Sequence, residues 1–168
     1  MDSRAILAEL PRLRRYARAM LGDRAAADDL VQDTLERAWS RISQWRPGSD
    51  LRAWLFGIMH NLRVDQLRRG GLATTSLDDE DEAADVPVRP TQTDLLEVMD
   101  LETALRQLPD EQREILSLVA LEEMSYADIA ALLGIPIGTV MSRLSRGRER
   151  LRLVMEGRQP SANLRVVR

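Results

Sequence analysis

Ser125-Tyr126-Ala127-Asp128-Ile129-Ala130-Ala131-Leu132-Leu133-Gly134-Ile135-Pro136-Ile137-Gly138-Thr139-Val140-Met141-Ser142-Arg143 reads as two short helices joined by a tight turn. Ser125 and Asp128 stand three apart, a capping-box-like start in which Asp takes the place of Glu. Ile129, Ala130, Leu132 and Leu133 supply the buried face of the first helix, and the small Ala130 lets a second helix cross closely. Gly134 supplies a turn conformation that a Cβ would penalise. Ile135 plugs the angle, and Pro136 restarts the helix by fixing φ. Val140, Leu144 and Leu151 then face inward, while Thr139, Ser142, Arg143, Arg146 and Arg150 face out. A major groove admits one α-helix, and Ser and Arg on such a helix can reach base edges and phosphates. The stretch is therefore read as a DNA-binding helix-turn-helix rather than a merely solvated Arg-rich surface.

Upstream of it, Leu95, Val98, Met99, Leu101, Leu105 and Leu108 predict one helix beginning near Asp94. Pro109 opens the next helix, which buries Ile115, Leu116, Val119 and Leu121. Residues 94–156 thus form a carboxy-terminal helical domain, followed by an aperiodic and flexible tail from Gly157. Before it, residues 71–93 are acidic, hold two prolines and show no period, as expected of a flexible linker. A free coil of that length spans ~26 Å on average, and a stretched one ~76 Å.

Residues 1–70 predict three more amphipathic helices, enough to cover one another's apolar stripes. The first runs from about Ile6 to Leu21 on Leu10, Leu13, Ala17, Met20 and Leu21, with Arg14, Arg15 and Arg18 outside. Gly22 ends it and Asp23 caps the second, which buries Val31, Leu35, Ala38, Trp39 and Ile42 and shows Asp29, Gln32, Asp33 and Glu36. After a turn at Trp45–Asp50, Ser49 or Asp50 caps a third helix reaching Arg69, with Leu51, Trp54, Leu55, Ile58 and Leu62 inside. Asn61, Asp65, Arg68 and Arg69 lie off that stripe; His60 reads as an ordinary surface imidazole. The fold class expected is all-α, two small helical domains on one linker.

Charge sharpens the division. The net charge is −3, yet residues 1–70 carry 13 Arg against nine acids and residues 137–168 carry eight Arg against two. Between them, residues 71–93 are net −5 and residues 94–136 net −8. Two basic readers separated by acidic segments differ from a uniformly basic nucleic-acid binder. All 24 basic residues are Arg, the side chain suited to bidentate contacts with guanine and phosphate. With no Cys and one His, thiol chemistry and a histidine-rich metal centre are excluded. No nucleophile–base pair or phosphate-cradling glycine loop stands out, so no catalytic residue, metal, cofactor or small-molecule substrate is expected. No run approaches the ~18 apolar residues of a membrane span, and no signal peptide is visible, so a cytoplasmic location without membrane insertion is expected.

Three motifs in sequence carry a family resemblance. Asp28-Asp-Leu-Val-Gln-Asp-Thr-Leu-Glu-Arg-Ala-Trp39 resembles the core-polymerase-binding helix of RNA polymerase sigma factors. Trp54-Leu-Phe-Gly-Ile-Met-His-Asn-Leu-Arg-Val-Asp-Gln-Leu-Arg-Arg69 looks like the helix that melts and reads the minus-ten element, and Leu108–Leu151 is similar to the minus-thirty-five-reading domain. The short chain, without an ordered middle domain, places the resemblance with the extracytoplasmic-function subgroup of the sigma-70 family.

The resemblance implies partners and roles. Asp29, Gln32, Asp33 and Glu36 would dock on core RNA polymerase. Arg46 and Ser49, in the turn matching the loop that captures a flipped base, would serve the minus-ten element with Asn61, Asp65, Arg68 and Arg69; Pro47-Gly48 leaves the captured base open. Thr139, Ser142, Arg143, Arg146 and Arg150 would serve the minus-thirty-five element of promoter DNA. The linker would thread through polymerase, its six acids between Asp78 and Asp85 either mimicking nucleic acid or acting as an inert tether. The family commonly works under an anti-sigma partner in stress or envelope responses. The rival reading is a two-domain regulator that binds DNA without polymerase, which leaves the acidic face and the Asn/Arg helix of residues 1–70 unexplained.

Overall fold

The computed structural model describes residues 3–70 and 101–157. Among these residues the chain is helical and without strands. The predicted linker, the start of the second domain near Asp94 and the tail beyond Gly157 lie outside them.

The first group of helices comprises α1 (Ser3–Ala8), α2 (Leu10–Leu21), α3 (Arg24–Ser40) and α4 (Leu51–Arg69), with a single 3₁₀ turn at Ile42–Gln44 between the last two. The helix expected from Ile6 to Leu21 is broken at Glu9, because Pro11 in the first turn of α2 has no N–H to continue the ladder. Gly22, at φ 78°, ends α2, and Asp23 caps α3 by accepting from the Ala26 amide at 3.2 Å. Asp50 rather than Ser49 caps α4, accepting from the Ala53 amide at 3.2 Å. Each cap satisfies a backbone donor that the helix cannot.

The second group comprises α5 (Leu101–Leu105), α6 (Asp110–Ala120), α7 (Tyr126–Leu133) and α8 (Ile137–Met155). Helices α7 and α8 meet at 108°, within the range of a helix-turn-helix. The Ser125 hydroxyl accepts from the Asp128 amide at 3.0 Å, and Gly134 adopts left-handed φ 71°, ψ 34°. Gly147, in mid-helix, lets α8 approach α6: a Cβ there would sit 3.1 Å from Leu116 Cδ1.

The two groups share one continuous core, which includes Leu13, Met20, Leu30, Leu55, Phe56 and Met59 from the first and Leu105, Leu108, Ile115, Leu118 and Ile129 from the second. Tyr16 packs edge-on to Phe56, ring centroids 5.0 Å apart. Burying each such aliphatic or aromatic side chain contributes about 1.5–3 kcal/mol. Helix α2 lies against α5 and α6, and α4 lies against α7.

Several placements expected from periodicity fail. Trp39 is 42% exposed and Ile42 only half-buried. The buried stripe of α3 is Ala27, Leu30, Val31, Thr34 and Ala38, which turns Trp39 away from the core. His60 is not a surface imidazole: it is largely covered and hydrogen-bonded across the two groups.

Candidate polymerase and nucleic-acid surfaces

On α3, Asp29, Gln32, Asp33 and Glu36 are all exposed and follow one another at three- and four-residue steps, so they form a single stripe. Gln32 Nε2 donates to Glu36 Oε2 at 3.4 Å along it. The exposed indole of Trp39 extends the stripe one turn beyond Glu36. An aromatic ring in water beside a row of carboxylates has the composition of an interface anchor. The one-residue offset of Trp39 from buried Ala38 is the sequence signal for this exposure.

The turn after the 3₁₀ segment closes on itself. The Ser49 amide and hydroxyl both donate to the Arg46 carbonyl, at 3.0 and 2.7 Å, and Gly48 takes φ 92°. Ser49 thereby spends its hydroxyl proton and keeps only acceptor capacity, while the Arg46 side chain is exposed. The Trp45 indole N–H is buried with no hydrogen-bond partner among the described residues.

On α4, Asn61, Arg68 and Arg69 are exposed and Asp65 half-exposed, again on one stripe. Other cations of this helix point to the second group of helices instead: Arg52 donates to the Glu122 carbonyl at 3.2 Å, and Arg63 pairs with Asp110.

On α8, Arg146 is exposed, but Thr139, Ser142, Arg143 and Arg150 are half-buried. Ser142 Oγ donates to the Thr139 carbonyl at 3.3 Å. The side chains standing furthest into solvent near the start of the helix are Ile137 and Met141, at 48% and 50% exposure, with Ser145 one turn on. Ile137, Met141 and Ser145 are not among the residues expected to face out, although their offset from Val140 and Leu144 signals it. Apolar contacts of this kind suit a thymine methyl group. Arg152 is neutralised within the helix by Glu149 at 2.6 Å and Glu156 at 2.9 Å.

No single helix among the described residues is long and apolar enough to cross a membrane, and no cluster of His, Asp and Glu among them is arranged to hold a metal ion.

Residues 6–60 match the family model described as the Sigma2 domain of PhyR, and residues 99–151 match Sigma-70, region 4. The chain is 43% identical to the ECF RNA polymerase sigma factor EcfG of Rhodopseudomonas palustris over 149 residues, 87% of this chain and 80% of that protein. Its fold is similar to that of the sigma factor RpoE of Bartonella quintana, solved in complex with the anti-sigma factor NepR. The TM-score is 0.72 at 37% identity, covering 92% of this chain and 96% of that one. CnrH, solved with the cytosolic domain of CnrY, gives a TM-score of 0.64 at 25% identity, covering 92% and 86%. With these two domains matched in order and this relative covered over most of its length, the chain belongs to the extracytoplasmic-function RNA polymerase sigma factors of the sigma-70 family.

Proposed function

We propose that this chain binds core RNA polymerase in the cytoplasm and directs it to promoters by reading two DNA elements. Residues 1–70 act as the polymerase-binding and minus-ten module, 71–93 as linker, and 94–156 as the minus-thirty-five module. Asp29, Gln32, Asp33 and Glu36 meet a basic polymerase surface, where complementary charge favours encounter and register. Asn61 has the bidentate geometry for an adenine edge. Asp65 shares its face, Arg68 and Arg69 anchor phosphates, and Arg46 and Ser49 line the turn that receives an unstacked base. Arg146, with Thr139, Ser142, Arg143 and Arg150 around it, addresses the upstream element. The observation that carries this reading is the pair of exposed stripes on α3 and α4 within one small bundle: a DNA-only regulator has no use for the acidic one.

The similar sigma factor RpoE was solved with the anti-sigma factor NepR, which supports control of this chain by a protein of that class. The deciding experiment adds the purified chain to core polymerase and maps start sites by run-off transcription. Promoter-specific initiation that needs both components supports the reading. Tight DNA binding alone, with no association with core enzyme, replaces it with the stand-alone regulator.

A further inference from the structure

Between the two groups of helices lies a set of ion pairs and hydrogen bonds that neither the docking nor the DNA contacts use. The Glu122 carboxylate has no exposed surface, and Arg15 and Arg12 approach it at 3.2 and 3.6 Å. Arg15 also donates to the Leu121 carbonyl at 2.8 Å, and Arg52 to that of Glu122. One turn of chain at Leu121–Met124, with Glu123 held at φ 55°, presents these acceptors. Glu114 Oε2 receives His60 Nδ1 at 2.6 Å and the Tyr16 hydroxyl at 3.3 Å. Asp110 pairs with Arg63. In the opposite direction, Arg113 donates to the Met20 carbonyl at 2.7 Å and Arg106 to the Gly22 carbonyl at 3.2 Å. The carboxylates come from the acidic stretch 94–136, and their cationic partners from the basic first seventy residues.

Geometry makes this arrangement incompatible with the function proposed above, on which the inference rests. Helix α4, the minus-ten reader, lies directly against α7 of the helix-turn-helix. The reading helix α8 has 19 residues and so is about 28 Å long, whereas two elements separated by two helical turns of duplex lie ~70 Å apart. Readers in contact cannot occupy both.

We propose that the chain latches itself shut: Asp110, Glu114 and Glu122 hold Arg12, Arg15, Arg52, His60 and Arg63 in a closed form that must open before both promoter elements can be read. The latch suits a reversible device. Charged groups regain hydration on opening, unlike a purely apolar seam, while a carboxylate stripped of its cations inside the seam is costly enough to force opening.

The test uses the full chain, spin-labelled at Gln44→Cys and Met155→Cys; both native residues are exposed and the sequence contains no other Cys. Distances are measured by electron–electron double resonance, free and with core polymerase and promoter DNA. The latch predicts one narrow distance in the free chain, a longer one in the initiation complex, and a broad distribution for free Asp110→Asn/Glu114→Gln/Glu122→Gln. Because half-exposed Arg12 and Arg15 can be changed without risk to the core, Arg12→Gln/Arg15→Gln serves where the triple variant does not fold, and should also open. If the closed form is nine-tenths populated, opening raises the free chain's promoter affinity about tenfold, with run-off yield at saturating core unchanged. A free wild-type chain already broad, or folded variants that keep the narrow distance, overturns the latch. Absence of run-off with the free-chain distances as predicted overturns the sigma reading and leaves the closed form standing.

Discussion

His60 Nδ1 lies 2.6 Å from Glu114 Oε2, joining helices whose positions in the chain are 54 residues apart. Burial alone would push the imidazole down. The hydrogen bond to Glu114 and its charge, with Asp110 behind, outweigh burial and hold His60 above its ordinary 6.5. The Tyr16 hydroxyl and Arg63 complete the polar surroundings. A histidine raised in the folded state stabilises fully below its unfolded pKa and loses that contribution as pH climbs through the folded one. The closed form should therefore weaken as pH rises above the ordinary 6.5, with a falling melting temperature in the wild type and a flatter profile in His60→Gln. Parallel profiles would show that the imidazole is not the titrating group.

Gly147 sets how closely α8 rests on α6. A Cβ there would meet Leu116 Cδ1 at 3.1 Å and Gln112 Cβ at 3.3 Å. Gly147→Leu should cost about 1–3 kcal/mol by overpacking. Gly147→Ala should be near neutral, since about 1 kcal/mol of helix propensity offsets the crowding. Denaturant midpoints of the two variants decide this; a stable Leu variant would mean that α8 can shift freely.

Asp33 is exposed in the middle of the α3 stripe. Asp33→Arg should change folding stability by no more than about 0.5 kcal/mol while abolishing association with core polymerase. Co-elution of variant and core on a sizing column would remove α3 from the docking surface.

Arg146 is the exposed arginine of the five residues expected to face the upstream element. Arg146→Ala should weaken recognition of that element by about 1–3 kcal/mol where the guanidinium holds a base bidentately. With phosphate contact alone, binding falls on all sequences alike and the salt slope drops by about one. Titrations on matched and scrambled duplexes at several salt concentrations separate the two; no change in either places Arg146 outside the interface.

Local rules made the helices and the helix-turn-helix legible in the amino-acid sequence. Asp23, Ser125 and Gly134 act through atoms within four residues of themselves, so a cap or a left-handed turn is written where it occurs. The break at Glu9 is equally local, carried by Pro11, but the apolar period continues across it and masks it. The exposed stripes on α3 and α4 follow from helical spacing alone. Tertiary structure alone decided that Glu122 meets Arg12 and Arg15, that Glu114 meets His60, and that α4 rests on α7. Such pairings have no period, because a carboxylate attracts any cation within reach and docking of distant helices selects which. Segregated charge announces that basic and acidic parts of this chain can attract each other; only folding in three dimensions assigns the partners.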